Sequence, residues 1–200
     1  MRRSAGGFTL IEVLISILVL AIGMFGAAAL QLSAMRTTQQ SAMHTAALAL
    51  ASEIADRMRM NTKAMKAADA DNLFLKIDFS AITSTIDPAT GVAAPTTVDE
   101  PAKYCNLDVV CDADELARFD IYEWKKRLQA LLPTGRAVVC RDTNAWDGLA
   151  SRYKWACSGS TAPITVKIGW QGKNADGSVE KLANGSFAPQ VALIVAPYAP

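Results

Sequence analysis

The residue with the most unusual chemistry is Glu12, a carboxylate near the start of a long apolar run, after a short basic leader. An ionisable side chain in an apolar environment is unfavourable and marks a functional candidate that needs a partner. Cleavage after Gly7 would supply one, because the new amine of Phe8 would lie about one helical turn before Glu12. Glu12 could pair with the amine of its own or a neighbouring chain, which would offset much of the cost of burial. The simpler alternative is a carboxylate that extends to water at the membrane edge and has no role.

Four cysteines form the second set of reactive side chains: Cys105, Cys111, Cys140 and Cys157. Their even number, and their position beyond the apolar run, favour disulfide bonds in an oxidising compartment. We expect neighbours in sequence to pair, although four cysteines allow three connectivities and the sequence does not choose between them. A zinc site is disfavoured because there is no C-x-x-C pair and the single histidine, His44, is far away along the chain.

Catalytic motifs are absent from the sequence, which has no glycine-rich phosphate loop, no H-E-x-x-H and no G-x-S-x-G. The clustered acids Asp108, Asp112, Asp114 and Glu115 do not have the spacing of a calcium loop and are typical of a helix start. We therefore predict a protein that is not an enzyme, with no metal and no cofactor. The formal net charge of +1 gives no field that would indicate nucleic acid.

The apolar run extends from Val13 to Leu30, and no charged residue lies between Glu12 and Arg36. Roughly 18 or more apolar residues are enough to span a bilayer as a helix, so the run predicts a membrane anchor. Gly23 and Ala27 form a small-x-x-x-small pair, which lets another helix approach closely.

The leader predicts the orientation of this anchor. Arg2 and Arg3 precede the run, so we expect the N-terminus in the cytoplasm and the rest of the chain across the membrane. A cleaved secretory signal is the alternative, and small residues from Gly26 to Leu30 could supply its cleavage site. Glu12 argues against this alternative, because the charge of a signal peptide is positive and precedes its apolar core.

The helical pattern continues beyond the membrane segment, without proline or glycine up to Asn61, and is predicted to end at about Lys66. One face of this second half is apolar, with residues at spacings of three and four: Met43, Ala47, Leu50, Ile54 and Met58. We expect this amphipathic half to pack on a globular head.

The head contains one clear helix, from Asp112 to Leu132, where Asp112 and Glu115 resemble a capping box. Its predicted apolar face consists of Ala117, Ile121, Trp124, Leu128 and Leu131. Before this helix, the segment Leu73–Phe79 predicts a short strand or a helical turn, and the segment Ser84–Pro101 predicts a surface loop.

Strand-like runs follow and begin at Arg136, Arg152, Ile164 and Gln190. In the third run, apolar residues at 164, 166, 168 and 170 alternate with Thr165, Lys167 and Gly169, which predicts one buried face and one face in water. Asp176-Gly177 predicts a hairpin turn, and consecutive strands joined by turns predict an antiparallel sheet.

These elements predict an α+β fold: a long N-terminal helix, transmembrane in its first half and amphipathic in its second, packed on an antiparallel β-sheet head with an extra helix near 112–132. The predicted divisions are a leader at 1–7, a transmembrane helix at 8–34, an amphipathic helix at 35–66 and a head at 67–200. Within the head we expect a connecting region at 67–111, the helix at 112–132 and the sheet at 136–200.

The stretch from Gly6 to Ile15, GGFTLIEVLI, resembles the class III signal of type IV pilins and pseudopilins. The resemblance implies that a prepilin peptidase cuts after Gly7 and methylates the new amine of Phe8, and that Glu12 guides docking into a growing filament. The segments Ala47–Asn61 and Trp124–Cys140 further resemble minor pilins of type IV pili. Such subunits join other minor pilins and prime assembly at the pilus tip.

The same resemblance implies the partners and the location. The partners are prepilin peptidase, other minor pilins, the major pilin and inner-membrane lipid. The location is a single pass through the inner membrane, with the head in the periplasm, followed by the pilus on the cell surface.

Two alternatives remain open from the sequence. One is a minor pseudopilin of a type II secretion system, which shares the same N-terminus. The other is a pilus-tip adhesin or DNA-binding subunit, for which Arg152–Cys157, Trp146 and the triplet Lys125–Arg127 are the cue. The simpler interpretation packs these aromatic residues in the sheet and leaves the triplet as a solvated helix face, so nucleic acid is disfavoured.

Overall fold

The structure, a computed structural model, describes residues 9–86, 91, 93–106, 108–159, 161–172, 178 and 187–195. The predicted cleavage residues Gly7 and Phe8, and the predicted turn at Asp176-Gly177, lie outside these residues. The chain divides into two compact units, Met1–Gln40 and Ser41–Pro200, and helix α1 (Leu10–Met60) contributes to both. Within the described residues, the fold is the predicted α+β arrangement with an antiparallel sheet.

The part of α1 that belongs to the second unit buries one face. Its buried residues confirm the predicted stripe and add two alanines to it, Ala51 and Ala55; the full set is Ala47, Leu50, Ala51, Ile54, Ala55 and Met58. Met43, at the start of the stripe, is partly buried. Small alanine side chains between the larger ones let neighbouring elements approach the helix backbone closely.

The helix ends at Met60, which is six residues earlier than predicted. Asn61 interrupts it, because its side-chain oxygen accepts a hydrogen bond from the backbone N–H of Ala64 at 3.2 Å and starts a separate turn, α2 (Thr62–Met65). The side-chain amide of Asn61 also donates to the carbonyl of Ala113 at 2.6 Å. An asparagine that competes with the helix for backbone groups thus ties the end of α1 to the start of the next long helix.

Four strands form an antiparallel sheet in the order β1 (Asp78–Ser80), β4 (Arg136–Arg141), β7 (Ile164–Gly169) and β8 (Val191–Ile194). Val139 of β4 lies opposite Val166 of β7, which lies opposite Leu193 of β8. The segment before β1 forms a 3-10 turn, so the stretch Leu73–Phe79 contains both of the predicted possibilities. Core residues of the sheet and of α1 belong to one buried cluster.

Helix α3 (Ala113–Leu131) begins with the predicted capping box. Asp112 accepts from the N–H groups of Asp114 and Glu115 at 2.9 and 2.8 Å, and the Glu115 carboxylate accepts from the Asp112 N–H at 2.9 Å. The start of the helix is therefore satisfied by its own side chains, which is the role that the acid cluster was expected to have.

Trp124 of α3 is the largest fully buried side chain described, and it joins the two long helices. Its indole N–H donates to the backbone carbonyl of Leu50 in α1 at 2.8 Å. Ala117 and Leu128 lie on the same buried face, as predicted, and Ile121 is partly buried. The prediction was wrong for Leu131, which is 49% exposed, because the chain leaves the helix there and buries Leu132 instead.

The prediction of a surface loop over Ser84–Pro101 is wrong for residues 84–86 and 93–95, which belong to a small antiparallel ribbon, whereas residues 96–101 form no helix or strand. Strand β2 (Ile82–Ile86) pairs with β3 (Ala93–Pro95). The side-chain amide of Gln129 in α3 donates to the carbonyls of Ala81 and Thr96, at 2.9 and 2.8 Å. The ribbon is held at its base by a contact that is distant in sequence, which local turn-rich composition does not reveal.

Replacing Trp124 with phenylalanine removes the indole N–H that reaches the Leu50 carbonyl. We expect the free energy of unfolding of the full chain in detergent to fall by about 1–2 kcal/mol, measured by urea unfolding followed by circular dichroism. Trp146→Phe is the matched control, because Trp146 is 45% exposed, and its change should stay within about 0.5 kcal/mol. Equal unfolding midpoints for Trp124→Phe and the wild type would contradict this role of Trp124.

Candidate functional site

The first turn of α1 holds Glu12. The backbone N–H groups of Glu12 and Val13 donate to the carbonyl of Thr9, at 3.1 and 3.3 Å, so the helix begins directly after Thr9. Glu12 is the acidic residue of this turn and is exposed. The free N–H groups of a helix start carry partial positive charge, which favours a carboxylate at this position.

The helix that follows is apolar on all sides. An 18-residue window has a mean hydropathy of 2.6 and none of it is buried, so the helix is long and apolar enough to cross a membrane. The one hydroxyl within the run, that of Ser16, donates to the Val13 carbonyl at 2.8 Å. Its hydrogen bond is made inside the helix, so Ser16 adds little polarity to the outer surface.

Two glycines leave room on this helix. A Cβ built at Gly23 or at Gly26 would have no heavy atom within 4 Å, so neither glycine serves packing among the described residues. Glycine inside a helix is destabilising by about 1 kcal/mol relative to alanine. A glycine without neighbouring side chains on an exposed apolar helix is typical of a surface on which another helix packs.

The cysteines form two disulfides between sequence neighbours, Cys105–Cys111 and Cys140–Cys157. The first closes a short loop directly before α3. Lys103 ties that loop to the helix start, because its ammonium donates to the Val110 carbonyl at 2.6 Å and pairs with Glu115 at 2.9 Å.

The second disulfide holds an insertion against the sheet. The insertion, residues 142–163, connects β4 to β7, and its residues Lys154, Trp155 and Ala156 contact side chains and backbone of β7. It contains a second small ribbon, β5 (Trp146–Asp147) with β6 (Arg152–Tyr153). The strand predicted from Arg152 therefore stops after two residues.

The insertion covers the β7 face that was predicted to be in water, and this prediction was wrong. All six residues of β7 are buried, and the polar side chains Thr165 and Lys167 are 1% and 0% exposed. Gly169 leaves room for both neighbours of β7, because an added Cβ would lie 3.0 Å from the Trp155 ring of the insertion and 2.6 Å from the Ala188 carbonyl oxygen of the segment before β8.

Lys167 is fully buried and fully satisfied. Its ammonium pairs with the Asp142 carboxylate at 2.5 Å and donates to the carbonyls of Lys154 and Ala156, at 2.9 and 2.6 Å. An ammonium has three N–H groups, so these three partners saturate it.

The Asp142 carboxylate is held in its ionised form. Burial opposes ionisation, but the hydrogen bonds from Lys167 and from the Asn144 N–H, with the charge of Lys167, outweigh it. The pKa of Asp142 is therefore below its ordinary value of 3.8. This ion pair was not predicted from the sequence. A lysine between apolar residues of a strand, beside an insertion closed by cysteines, could have indicated it.

The basic and aromatic residues that suggested nucleic acid point in different directions. Lys126 donates to the Tyr122 hydroxyl at 3.2 Å and Arg127 pairs with Glu53 at 2.9 Å, while Lys125 lies over the Phe79 ring. Trp155 is partly buried and donates to the carbonyl of Phe187 at 2.6 Å. These four side chains are therefore engaged in contacts within the head. Among the described residues there is also no cluster of three or more metal ligands.

Comparison with known families agrees with the N-terminal geometry. Residues 2–28 match the family described as the prokaryotic N-terminal methylation motif. No curated protein and no solved structure matches the chain. The match covers the leader residues Arg2 and Arg3, the predicted cleavage point, Glu12 and the apolar helix to residue 28. This prepilin-type motif supports a type IV pilin-like protein and implies processing by a prepilin peptidase.

Lys167→Met leaves the buried Asp142 carboxylate without its counter-ion. We expect the free energy of unfolding at pH 7 to fall by about 3–5 kcal/mol, measured by urea unfolding of the full chain in detergent. The double variant Lys167→Met/Asp142→Leu should recover most of that loss, because it replaces both charges with apolar groups.

The pH dependence provides a second readout of the same pair. A lowered pKa of Asp142 contributes stability above the unfolded value of about 4, and this contribution is lost as the pH falls through the folded pKa. The difference between the wild type and Lys167→Met should therefore shrink below about pH 4. A difference that stays constant from pH 7 to pH 3 would contradict the ionised pair.

Proposed function

We propose that the chain is a minor subunit of a type IV pilus, of the PilV type, which helps to prime pilus assembly near the tip. The proposal rests mainly on the methylation motif over residues 2–28, which runs without interruption into an exposed apolar helix. The subunit has no catalytic role. It is made as a prepilin, cut after Gly7 and methylated at Phe8.

The proposed position in the membrane follows from the charge of the leader and the length of the apolar helix. Arg2 and Arg3 keep the leader in the cytoplasm, α1 crosses the inner membrane and the head folds in the periplasm. Removal of the leader takes away both arginines and leaves the amine of Phe8 close to Glu12. The inner membrane holds the subunit until its helix moves into the filament.

Glu12 has an assembly role in this proposal. When apolar helices leave the lipid and pack together, an unpaired carboxylate would be costly, whereas a carboxylate paired with the Phe8 amine of a neighbour is tolerated. Only one axial position of two neighbouring helices brings the two charges together. The pair therefore selects the register of the incoming subunit, while Gly23 and Gly26 leave space for close helix contact.

One feature of the head favours a second candidate function, an adhesive subunit at the pilus tip. The β5–β6 ribbon presents Trp146, which is partly exposed, and Leu149, which is fully exposed at the turn. The base of the ribbon is fixed by the buried Lys167 and by the Cys140–Cys157 disulfide. Exposed apolar side chains on a rigid base are typical of a contact surface.

The mature N-terminus tests the processing part of the proposal. Mass spectrometry of the protein from membranes or pili should find a chain that begins at Phe8 and carries a methyl group on its amine. A strain without prepilin peptidase is the control and should retain residues 1–7. A mature chain that begins near Leu30 would identify an ordinary secretory signal and contradict the proposal.

Glu12→Ala tests the assembly contact. We expect normal membrane insertion and processing but at least about tenfold fewer surface pili by electron microscopy, since a lost ion pair in an apolar bundle costs about 1.4 kcal/mol or more. Ser16→Ala is the matched control, because the Ser16 hydroxyl bonds only within its own helix. Wild-type piliation by Glu12→Ala would contradict the role of Glu12, and normal piliation with failed protein secretion would favour a pseudopilin.

A further inference from the structure

A cleft of about 490 Å³ opens on the head, on the side of α3 that does not face α1. Its walls are α3, the end of the 3-10 turn (Leu73–Lys76) and the segment 99–102. The volume is within the range of pockets that hold small ligands. The cleft is separate from α1 and from both disulfides, so neither the assembly contact nor the covering insertion explains it.

One stripe of α3 lines the cleft. Arg118, Ile121, Tyr122 and Lys125 are spaced by three, four and seven residues from the first, so they share one helical face. This face contrasts with the stripe of Ala117, Trp124 and Leu128, which packs in the core. The helix therefore presents a second face of mixed apolar and cationic character to the cleft.

Three cations converge on the cleft: Lys76, Arg118 and Lys125. In the part of the chain that the structure describes, neither Lys76 nor Arg118 has an ion-pair or hydrogen-bond partner. Lys125 is half-buried, with its ammonium 5.5 Å from the centre of the Phe79 ring. Burial lowers the pKa of Lys125 despite the opposing charge of Asp99, so its ammonium is poorly solvated.

Two carboxylates limit the net charge of the lining to one positive unit. Asp99 and Glu100 offset two of the three cations. The hydrogen bond with Tyr122 raises the pKa of Tyr104 to about 12, and burial and a hydrogen bond to the Glu100 carboxylate contribute less, so Glu100 already has a partner in Tyr104. A net charge of one unit matches a monoanion better than a phosphate, which carries about −1.5 to −2 at neutral pH.

The remaining lining is apolar. Leu73 and Ile121, both partly buried, contribute aliphatic surface to the lining, and the buried Ile77 lies in the same wall. A simple inorganic anion would leave this surface in contact with water. A ligand with one carboxylate and an apolar stem would satisfy the cations and cover the aliphatic side chains together.

We propose that this cleft binds a carboxylate carried on an apolar stem, with Lys125 and Arg118 as the groups that hold the carboxylate. The carboxylate comes either from a small carboxylic acid or from an acidic side chain of another protein subunit. The site does not depend on the proposed role in pilus assembly, because it is formed by the head alone.

Binding of hexanoate tests the proposal. Saturation-transfer NMR on the full chain in lipid nanodiscs should detect hexanoate with a Kd of roughly 1–10 mM, and empty nanodiscs correct for partition into lipid. Hexanamide has the same stem without charge and should bind at least about tenfold more weakly. Equal binding of the two probes, or no binding of hexanoate up to about 50 mM, would overturn the proposal.

Variants locate the site. Lys125→Met keeps the length of the side chain and should weaken hexanoate binding about tenfold. Arg118→Gln, on the exposed helix surface, should weaken it severalfold with no change in unfolding midpoint, so a folding defect cannot explain the loss. Lys66→Met is the matched control, because Lys66 is exposed and lies outside the cleft. Unchanged binding in both cleft variants would overturn the assignment.

A second arm distinguishes the two sources of the carboxylate. The capped tripeptide Leu-Glu-Leu should compete with hexanoate, and Leu-Gln-Leu should not. If the Kd of the tripeptide is at least about tenfold below that of hexanoate, the proposal is supported with a neighbouring protein as the source of the carboxylate. If the Kd of hexanoate is equal to or below that of the tripeptide, the proposal is supported with a small acid as the source. Equal competition by the two tripeptides would overturn the requirement for a carboxylate.

Discussion

The close contact between α1 and α3 is the interaction on which the head depends. The small side chains of the alanines at 47, 51 and 55 leave space on one face of α1. The Trp124 ring can therefore reach the helix backbone, where its indole N–H donates to the Leu50 carbonyl. Around this contact, Arg57 of α1 pairs with Asp120 of α3, whose pKa is raised by burial despite that pairing. The sheet then closes the other side of the same core.

The elements that could be predicted from sequence are those that local spacing specifies. The α1 stripe from Met43 to Met58 and the capping box at Asp112 follow from side chains a few residues apart, and both are confirmed. The errors have local and non-local causes. The β2–β3 ribbon depends on the distant Gln129, which a short window around the ribbon does not show. Asn61 ends α1 through a local hydrogen bond from the Ala64 N–H, and the distant Ala113 carbonyl then fixes its side chain.

The N-terminal motif and the sites of the head also differ in whether they depend on local sequence or on contacts between distant segments. A processing enzyme reads a linear stretch of chain, so residues Gly6 to Ile15 carry their information in sequence order, and the family match falls on that stretch. The cleft beside Lys125 and the burial of Lys167 arise only when distant segments meet. Alternation in β7 predicted one face in water, and this was wrong because the pattern carries no information about an insertion that lies over that face.

The burial of Lys167 depends on the covering insertion. Without the insertion, the ammonium would lie on an open face of the sheet, where water would solvate it. The covering segment supplies every partner that replaces that water, and the Cys140–Cys157 bond that tethers the segment forms where thiols are oxidised. Burial of Lys167 and closure of the Cys140–Cys157 bond are therefore linked, since both hold the same covering segment on the sheet, and reduction of that bond would weaken the contacts that replace water around the ammonium.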